Sequence, residues 1–128
     1  MILLDTCALL WLAADRAAFS SKAMAHLNNH FGALAISPIS FHEVGIKPSQ
    51  KRLRLSMSLS NWSASMVAKY ALTVLPVTTD IAVTAATLPP IHSDPFDRII
   101  IATAQVNKMV IITADEKFFE YPNVKVIW

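Results

Sequence analysis

The chain has 128 residues, of which 54% are hydrophobic, with a net charge of +2 and a mean hydropathy of +0.44. That length suits one domain with its own core, expected over 1–128, and no apolar stretch reaches the roughly 18 uninterrupted residues that a bilayer span requires. A single cysteine excludes an intrachain disulfide and fits a reducing cytoplasm, and two glycines are too few for a P-loop or a GxGxxG turn, which removes the common ATP, GTP and NAD chemistries.

Apolar runs alternate with helical stretches along the chain, which predicts βα units and a parallel sheet. Residues 2–5 read as the first strand, with Asp5 and the lack of basic residues before it arguing against a signal peptide. A helix follows with Ala8, Leu9 and Leu12 on one face, and Cys7 reads as a buried thiol of that helix. Ser20 or Ser21 caps a helix running to about His30, whose apolar stripe is Ala23, Met24, Leu27 and Phe31. Residues 33–37 are the second strand, and Ile39 to Lys47 a short helix ended by Pro48. After the polar, basic segment 49–60 come a helix over 61–71 and a third strand over 73–77, placed at a sheet edge by Pro76. A helix over 80–88 stops at Pro89-Pro90. A helix over 95–107, a strand over 109–113, a short helix over 115–120 and a strand over 124–127 complete the chain. The apolar excess implies a large covered interface, as in a dimer or a tightly held partner.

Five of the nine acidic residues stand at the ends or on the faces of apolar elements. Asp5 ends the first strand, where a helix cap and a ligand-binding role fit equally well. Glu43 shares an i, i+4, i+7 face with Ile39 and Ile46, which would turn a carboxylate inward. The alternatives are that the face bearing Ser40 and Lys47 is the buried one, or that Glu43 pairs with a lysine. Asp94 is well explained as an N-cap ahead of Pro95; Asp97 is less fully explained, because two acids at one helix start compete for the same stabilisation. Arg98 beside them is placed to neutralise one acid or to touch a phosphate. Asp115 ends a strand as Asp5 does, and the alternative for it is a cap for the short helix at 116–120. If the two strands are neighbours, about 4.8 Å apart, two carboxylates meet that only a cation makes tolerable. His26 and His30 read as a solvent-facing helix pair, His42 as lying off the Glu43 face, and His92 as ordering its loop. With four carboxylates committed to metal, the net +2 of the chain becomes +6 elsewhere, which suits a polyanionic substrate.

With these residues in view the chain resembles the PIN-domain ribonucleases, specifically VapC-type toxins of bacterial toxin–antitoxin pairs. Four blocks carry the resemblance in order: LLDTCALLW at 3–11, SPISFHEVGIK at 37–47, HSDPFDRIIIATAQ at 92–105 and ITADEKFFEY at 112–121. His42 departs from the tryptophan common in related sequences. The resemblance implies a three-layer α/β/α sandwich around a five-stranded parallel sheet in the order 3-2-1-4-5. It implies Mg²⁺ or Mn²⁺ and metal-assisted hydrolysis of an RNA phosphodiester. Asp5 and Asp97 would bind the metal directly, Glu43 and Asp115 through water or at a second ion. Thr6 and Thr113 would position water or phosphate, with Asp94 and Arg98 in supporting places. A basic rim of Lys47, Lys51, Arg52 and Arg54 would follow the RNA backbone. The implied partners are RNA, a small antitoxin and a second copy of the chain. The alternative is the same nuclease acting in RNA maturation or on structured DNA without an antitoxin. A receiver-like signalling module is disfavoured, because the third strand carries no aspartate.

Overall fold

A computed structural model describes residues 1–47 and 57–128. Five short strands, β1 (Ile2–Leu4), β2 (Leu34–Ile36), β3 (Thr73–Val74), β4 (Val110–Ile112) and β5 (Lys125–Ile127), form one all-parallel sheet in the order β3-β2-β1-β4-β5. Six α-helices accompany them among the described residues: α1 (Thr6–Ala14), α2 (Ser21–Asn29), α3 (Pro38–Ile46), α4 (Leu59–Lys69), α5 (Thr79–Thr87) and α6 (Pro95–Asn107). A 3₁₀ turn at Glu116–Glu120 precedes β5.

Because successive strand residues point to opposite faces, β1 divides its side chains between two cores. Ile2 and Leu4 join Ile36, Ile112 and Ile127 under α1, α2, α3 and α4; Leu3 joins Ala35 and Ile111 under α5, α6 and Phe118. Both faces of the sheet are covered, so the strands read as continuous apolar runs rather than alternating ones.

The strands are shorter than the apolar runs that announce them, because capping side chains take over their ends. Asp5 leaves β1 to cap α1, Ser37 leaves β2 to cap α3 with Pro38 in the first turn, and Asp94 caps α6 ahead of Pro95. β3 is only two residues long and lies at the sheet edge, as Pro76 suggests. Phe31, expected on the inner stripe of α2, falls beyond its end and is exposed; Gly32, at φ +86°, makes the turn into β2. Cys7, expected to be buried, is exposed. In α1 the inward positions are Thr6, Ala8, Leu9 and Leu12, which leaves Cys7 and Trp11, one turn apart, on the side that faces a cleft.

Candidate functional site

The β1–β4 pairing opposes Leu4 to Ile112, so the residues that follow, Asp5 and Thr113, stand side by side at the carboxyl ends of the two central strands. Asp5 is buried. Its Oδ1 accepts the Ala8 N–H at 2.7 Å, and its Oδ2 accepts the Thr113 hydroxyl. The helix-capping role and the strand-end placement are therefore both real. Asp115 lies two residues past Thr113 and is tied to it, since the Thr113 hydroxyl oxygen accepts the Asp115 N–H at 3.0 Å.

Glu43 reaches the same place from α3, which packs between α1 and α6. Its side chain is only 4% exposed, although Ile46, expected on the same inner face, is 53% exposed. The inward positions of α3 are Ser40, Glu43 and Val44, a narrower stripe rotated away from Ile46. Glu43 Oε2 accepts from Lys47 Nζ at 2.6 Å, whereas Oε1 is buried and has no hydrogen-bond partner among the described residues. Lys47 Nζ also bonds Asp94 Oδ2 and lies 4.8 Å from the centroid of the Phe96 ring. Lys47 thus turns toward the acid cluster while staying partly exposed on the cleft wall. The other rim residues, Lys51, Arg52 and Arg54, lie outside the described residues.

From α6 come Asp94 and Asp97. Asp94 Oδ1 accepts the N–H groups of Phe96 and Asp97, and Oδ2 accepts from Lys47, so both oxygens are engaged. Asp97 Oδ2 lies 3.0 Å from His92 Nε2, which is also 2.9 Å from Asp115 Oδ2. These three groups have the mutual separation of a metal site. His92 Nδ1, however, accepts the Asp94 N–H at 3.2 Å, so the ring proton sits on Nε2 and is directed at both carboxylates. His92 holds the two acids together as a donor. Sequence reasoning gave it only the loop-ordering part, and its place two residues before Asp94 was the one available signal.

The remaining candidates have other work. Among the described residues the hydrogen bonds of Arg98 all go to backbone carbonyls: Nε and Nη2 bond Ala85 O, Nη2 also bonds Leu88 O, and Nη1 bonds Pro89 O and His92 O. It closes the carboxyl end of α5 and the loop beyond it, and the expectation of a phosphate contact gives way to that structural role. The Thr6 hydroxyl is buried and donates to Ser40 Oγ at 3.0 Å, joining α1 to α3, while the Thr113 proton goes to Asp5. His42 is exposed and meets Phe96 edge-on, and His26 and His30 stack on each other away from the acids.

The acids line a cleft of about 330 Å³ together with Thr6, Cys7, Trp11, Lys47 and Ala114. Burial pushes the Asp5 carboxyl up to about 6, against the pull of the Thr113 and Ala8 hydrogen bonds. Burial, followed by the charges of Asp94, Glu43, Asp5 and Asp115, pushes Asp97 up to about 8. Burial also opposes ionisation of Asp94, but the Lys47 ammonium outweighs it and holds that carboxyl below its usual value. Lys47 loses some charge preference to burial and regains more from Asp94 and Glu43, ending above its usual value. The cluster is therefore neutralised on the Glu43–Asp94 side and strained on the Asp5–Asp97 side. A divalent cation would relieve that strain and would give Glu43 Oε1 the partner it lacks, and an all-oxygen donor set suits a hard ion.

The model of the PIN domain family matches residues 2–124. Ribonuclease VapC22 of Mycobacterium tuberculosis is 29% identical over 130 residues, covering 99% of this chain and 98% of that protein. Among solved structures, DNA-bound VapBC from Salmonella typhimurium superposes with a TM-score of 0.68 at 16% identity, covering 98% of this chain and 96% of that one. A toxin–antitoxin complex from Klebsiella pneumoniae gives 0.63 at 23% identity, covering all of this chain and 97% of that one. These two likenesses concern the fold.

Proposed function

The chain belongs to the PIN-domain family, and on that premise we propose that it is a metal-dependent endoribonuclease, the toxin of a toxin–antitoxin pair. The observation that carries the chemistry is the convergence of Asp5, Glu43, Asp97 and Asp115 on one cleft, with a buried carboxylate oxygen left unpartnered. The observation that carries the biology is the likeness to Ribonuclease VapC22 over nearly the whole of both chains.

Asp97, Asp115, Asp5 and Glu43 Oε1 are the groups that would hold Mg²⁺ or Mn²⁺. When bound, such an ion lowers the pKa of a coordinated water and offsets negative charge on the phosphoryl group. The protein's own contribution is positional. The Ala8 N–H and Thr113 fix the rotamer of Asp5; His92 fixes Asp97 against Asp115; Lys47 fixes Glu43. Donors to ligating carboxylates of this kind orient the remaining lone pairs toward the ion. Trp11 and Cys7 on the cleft wall give an apolar side against which a base can lie.

Among the described residues no helix is long and apolar enough to cross a membrane. The single cysteine suits a cytoplasmic setting. An antitoxin and a second copy of the chain are the partners this reading assigns, and apolar side chains left on the surface, such as Phe31, Val83 and Phe119, are available to be covered by them. A defined RNA oligonucleotide incubated with purified, antitoxin-free protein tests the reading. Cleavage requires Mg²⁺ or Mn²⁺, stops with EDTA and disappears in Asp97→Asn; RNA left intact under all metal conditions would refute it.

A further inference from the structure

The cleft is charged unevenly. On one side Asp5 is buried and Asp97 partly buried, both among acidic neighbours, and no lysine or arginine among the described residues forms an ion pair with either. On the other side Lys47 stands between Glu43 and Asp94, 2.6 Å from Glu43 Oε2 and bonded to Asp94 Oδ2, with the face of Phe96 beneath it. Nuclease sites that use two ions place them about 3.5–4 Å apart between shared carboxylates, one for the attacking oxygen and one for the leaving oxygen. Here the space between Glu43 and Asp94 is filled by an ammonium group. A divalent ion could enter it only by displacing a cation already bonded to both carboxylates.

The oxygen inventory separates the two acids further. Glu43 offers one oxygen to Lys47 and leaves Oε1 open. Asp94 Oδ1 serves two helix N–H groups and Oδ2 serves Lys47; the oxygens of Asp5 and Asp115 are hydrogen-bonded too, but Asp94 is set apart from them by a partner that is itself a cation. Among the described residues Lys47 has two carboxylate partners for its three ammonium hydrogens, which leaves one for a third acceptor, and its side chain is 28% exposed on the cleft wall.

We propose that Lys47 stands in for a second divalent ion: the cleft takes one metal, on Asp5, Asp97, Asp115 and the open oxygen of Glu43, and the Lys47 ammonium supplies the second positive charge to the substrate phosphate. The phosphate part of this proposal rests on the nuclease reading above; the ion count does not. Asp94 is the anchor of Lys47 and not a metal ligand. Lys47 donates its third N–H to a non-bridging phosphate oxygen, remains protonated and transfers no proton. A compact point charge on a flexible stem suits the place of an ion.

The test is a Mn²⁺ titration of the purified chain, with free Mn²⁺ read by electron paramagnetic resonance, beside single-turnover RNA cleavage. The wild type binds one Mn²⁺ per chain. Lys47→Met opens the Glu43–Asp94 space and binds two, and its cleavage rate, lowered at limiting Mn²⁺, recovers with a steeper than first-order dependence on the ion. Lys47→Gln, which keeps a hydrogen-bond donor beside the buried Glu43, carries the same expectation if the methionine variant does not fold. Asp94→Asn leaves the affinity of the single site within a few-fold of wild type, whereas Asp97→Asn, which removes a ligating carboxylate, lowers it by more than the roughly 10–100-fold that loss of an orienting partner costs. Two ions per wild-type chain, or a stoichiometry of one in both Lys47 variants, would overturn the proposal. A wild type that binds one ion, gains a second on Lys47 substitution and cleaves no RNA would overturn the nuclease reading and the phosphate contact, and would leave the ion replacement standing.

Discussion

Thr113 donates a hydrogen bond to Asp5 Oδ2 across the seam between β1 and β4, joining residues 108 positions apart in the chain. The same hydroxyl oxygen accepts the Asp115 N–H, so one small side chain sets the spacing of two acids at neighbouring strand ends. Thr113→Val keeps the shape and removes the donor. It leaves a buried carboxylate oxygen short of a partner, which costs about 1–3 kcal/mol in the metal-bound state, where Asp5 is ionised. The affinity for Mn²⁺ falls by about tenfold or more, as it does when a group orienting a metal ligand is lost. Urea unfolding with and without the ion, alongside calorimetric titration, measures both effects.

Asp97 is held up to about 8 and Asp5 up to about 6, both by burial first, against an ordinary value of 3.8. A carboxyl whose folded pKa lies above its unfolded pKa binds protons more tightly in the folded chain. Its favourable contribution is therefore complete below 3.8 and is lost as pH rises through 6 for Asp5 and 8 for Asp97. The metal-free protein should lose stability between pH 5 and pH 8, and saturating Mg²⁺ or Mn²⁺ should flatten that loss. Asp97→Asn should raise the metal-free melting temperature at pH 8 by several degrees, corresponding to about 1–3 kcal/mol, while abolishing cleavage. A clear fall in melting temperature would mean that Asp97 serves mainly the start of α6.

His92 offers a choice between ligand and donor that a spectrum decides. Its Nδ1 accepts from the Asp94 backbone, so its Nε2 proton bridges Asp97 and Asp115. Spin-echo modulation of bound Mn²⁺ should show no directly coordinated nitrogen. His92→Phe should lower ion affinity by about 10–100-fold with the fold retained. A strong nitrogen coupling that vanishes in His92→Phe would make the histidine a ligand.

Arg98 should behave as a structural residue. Its guanidinium satisfies the carbonyls of Ala85, Leu88, Pro89 and His92. Arg98→Met leaves those acceptors short of donors and should destabilise the chain by about 2–4 kcal/mol. Arg98→Lys should recover only part of it, because an ammonium cannot reproduce the planar fork. Unfolding curves measure the loss, and the Mn²⁺ affinity of whatever fraction remains folded should be that of the wild type.

Much of the architecture was legible because the apolar runs and their capping residues are strong local signals. Asp94-Pro95 announces α6, Pro76 announces an edge strand, and the strand order came from the family resemblance that the four motif blocks carry. The strand-end places of Asp5 and Asp115 were legible for the same reason, although each also caps the helical turn that follows it. What the sequence did not disclose depends on rotation about a helix axis and on side-chain reach. Cys7 and Ile46 lie one position off the inward stripes of α1 and α3. The turn of Lys47 into the cleft, and of Arg98 away from it, is decided by which oxygens tertiary packing leaves without donors. No periodicity records that.

The central claim is that the gathered acids hold a divalent ion for hydrolysis of RNA. It is tested most directly by mapping cleavage in total RNA with the purified wild type and with Asp5→Asn, each in Mn²⁺ and in EDTA. The account predicts discrete new RNA ends with wild type in Mn²⁺, and none with EDTA or with the variant. New ends that persist in EDTA or in Asp5→Asn, or none with wild type in Mn²⁺, would contradict it.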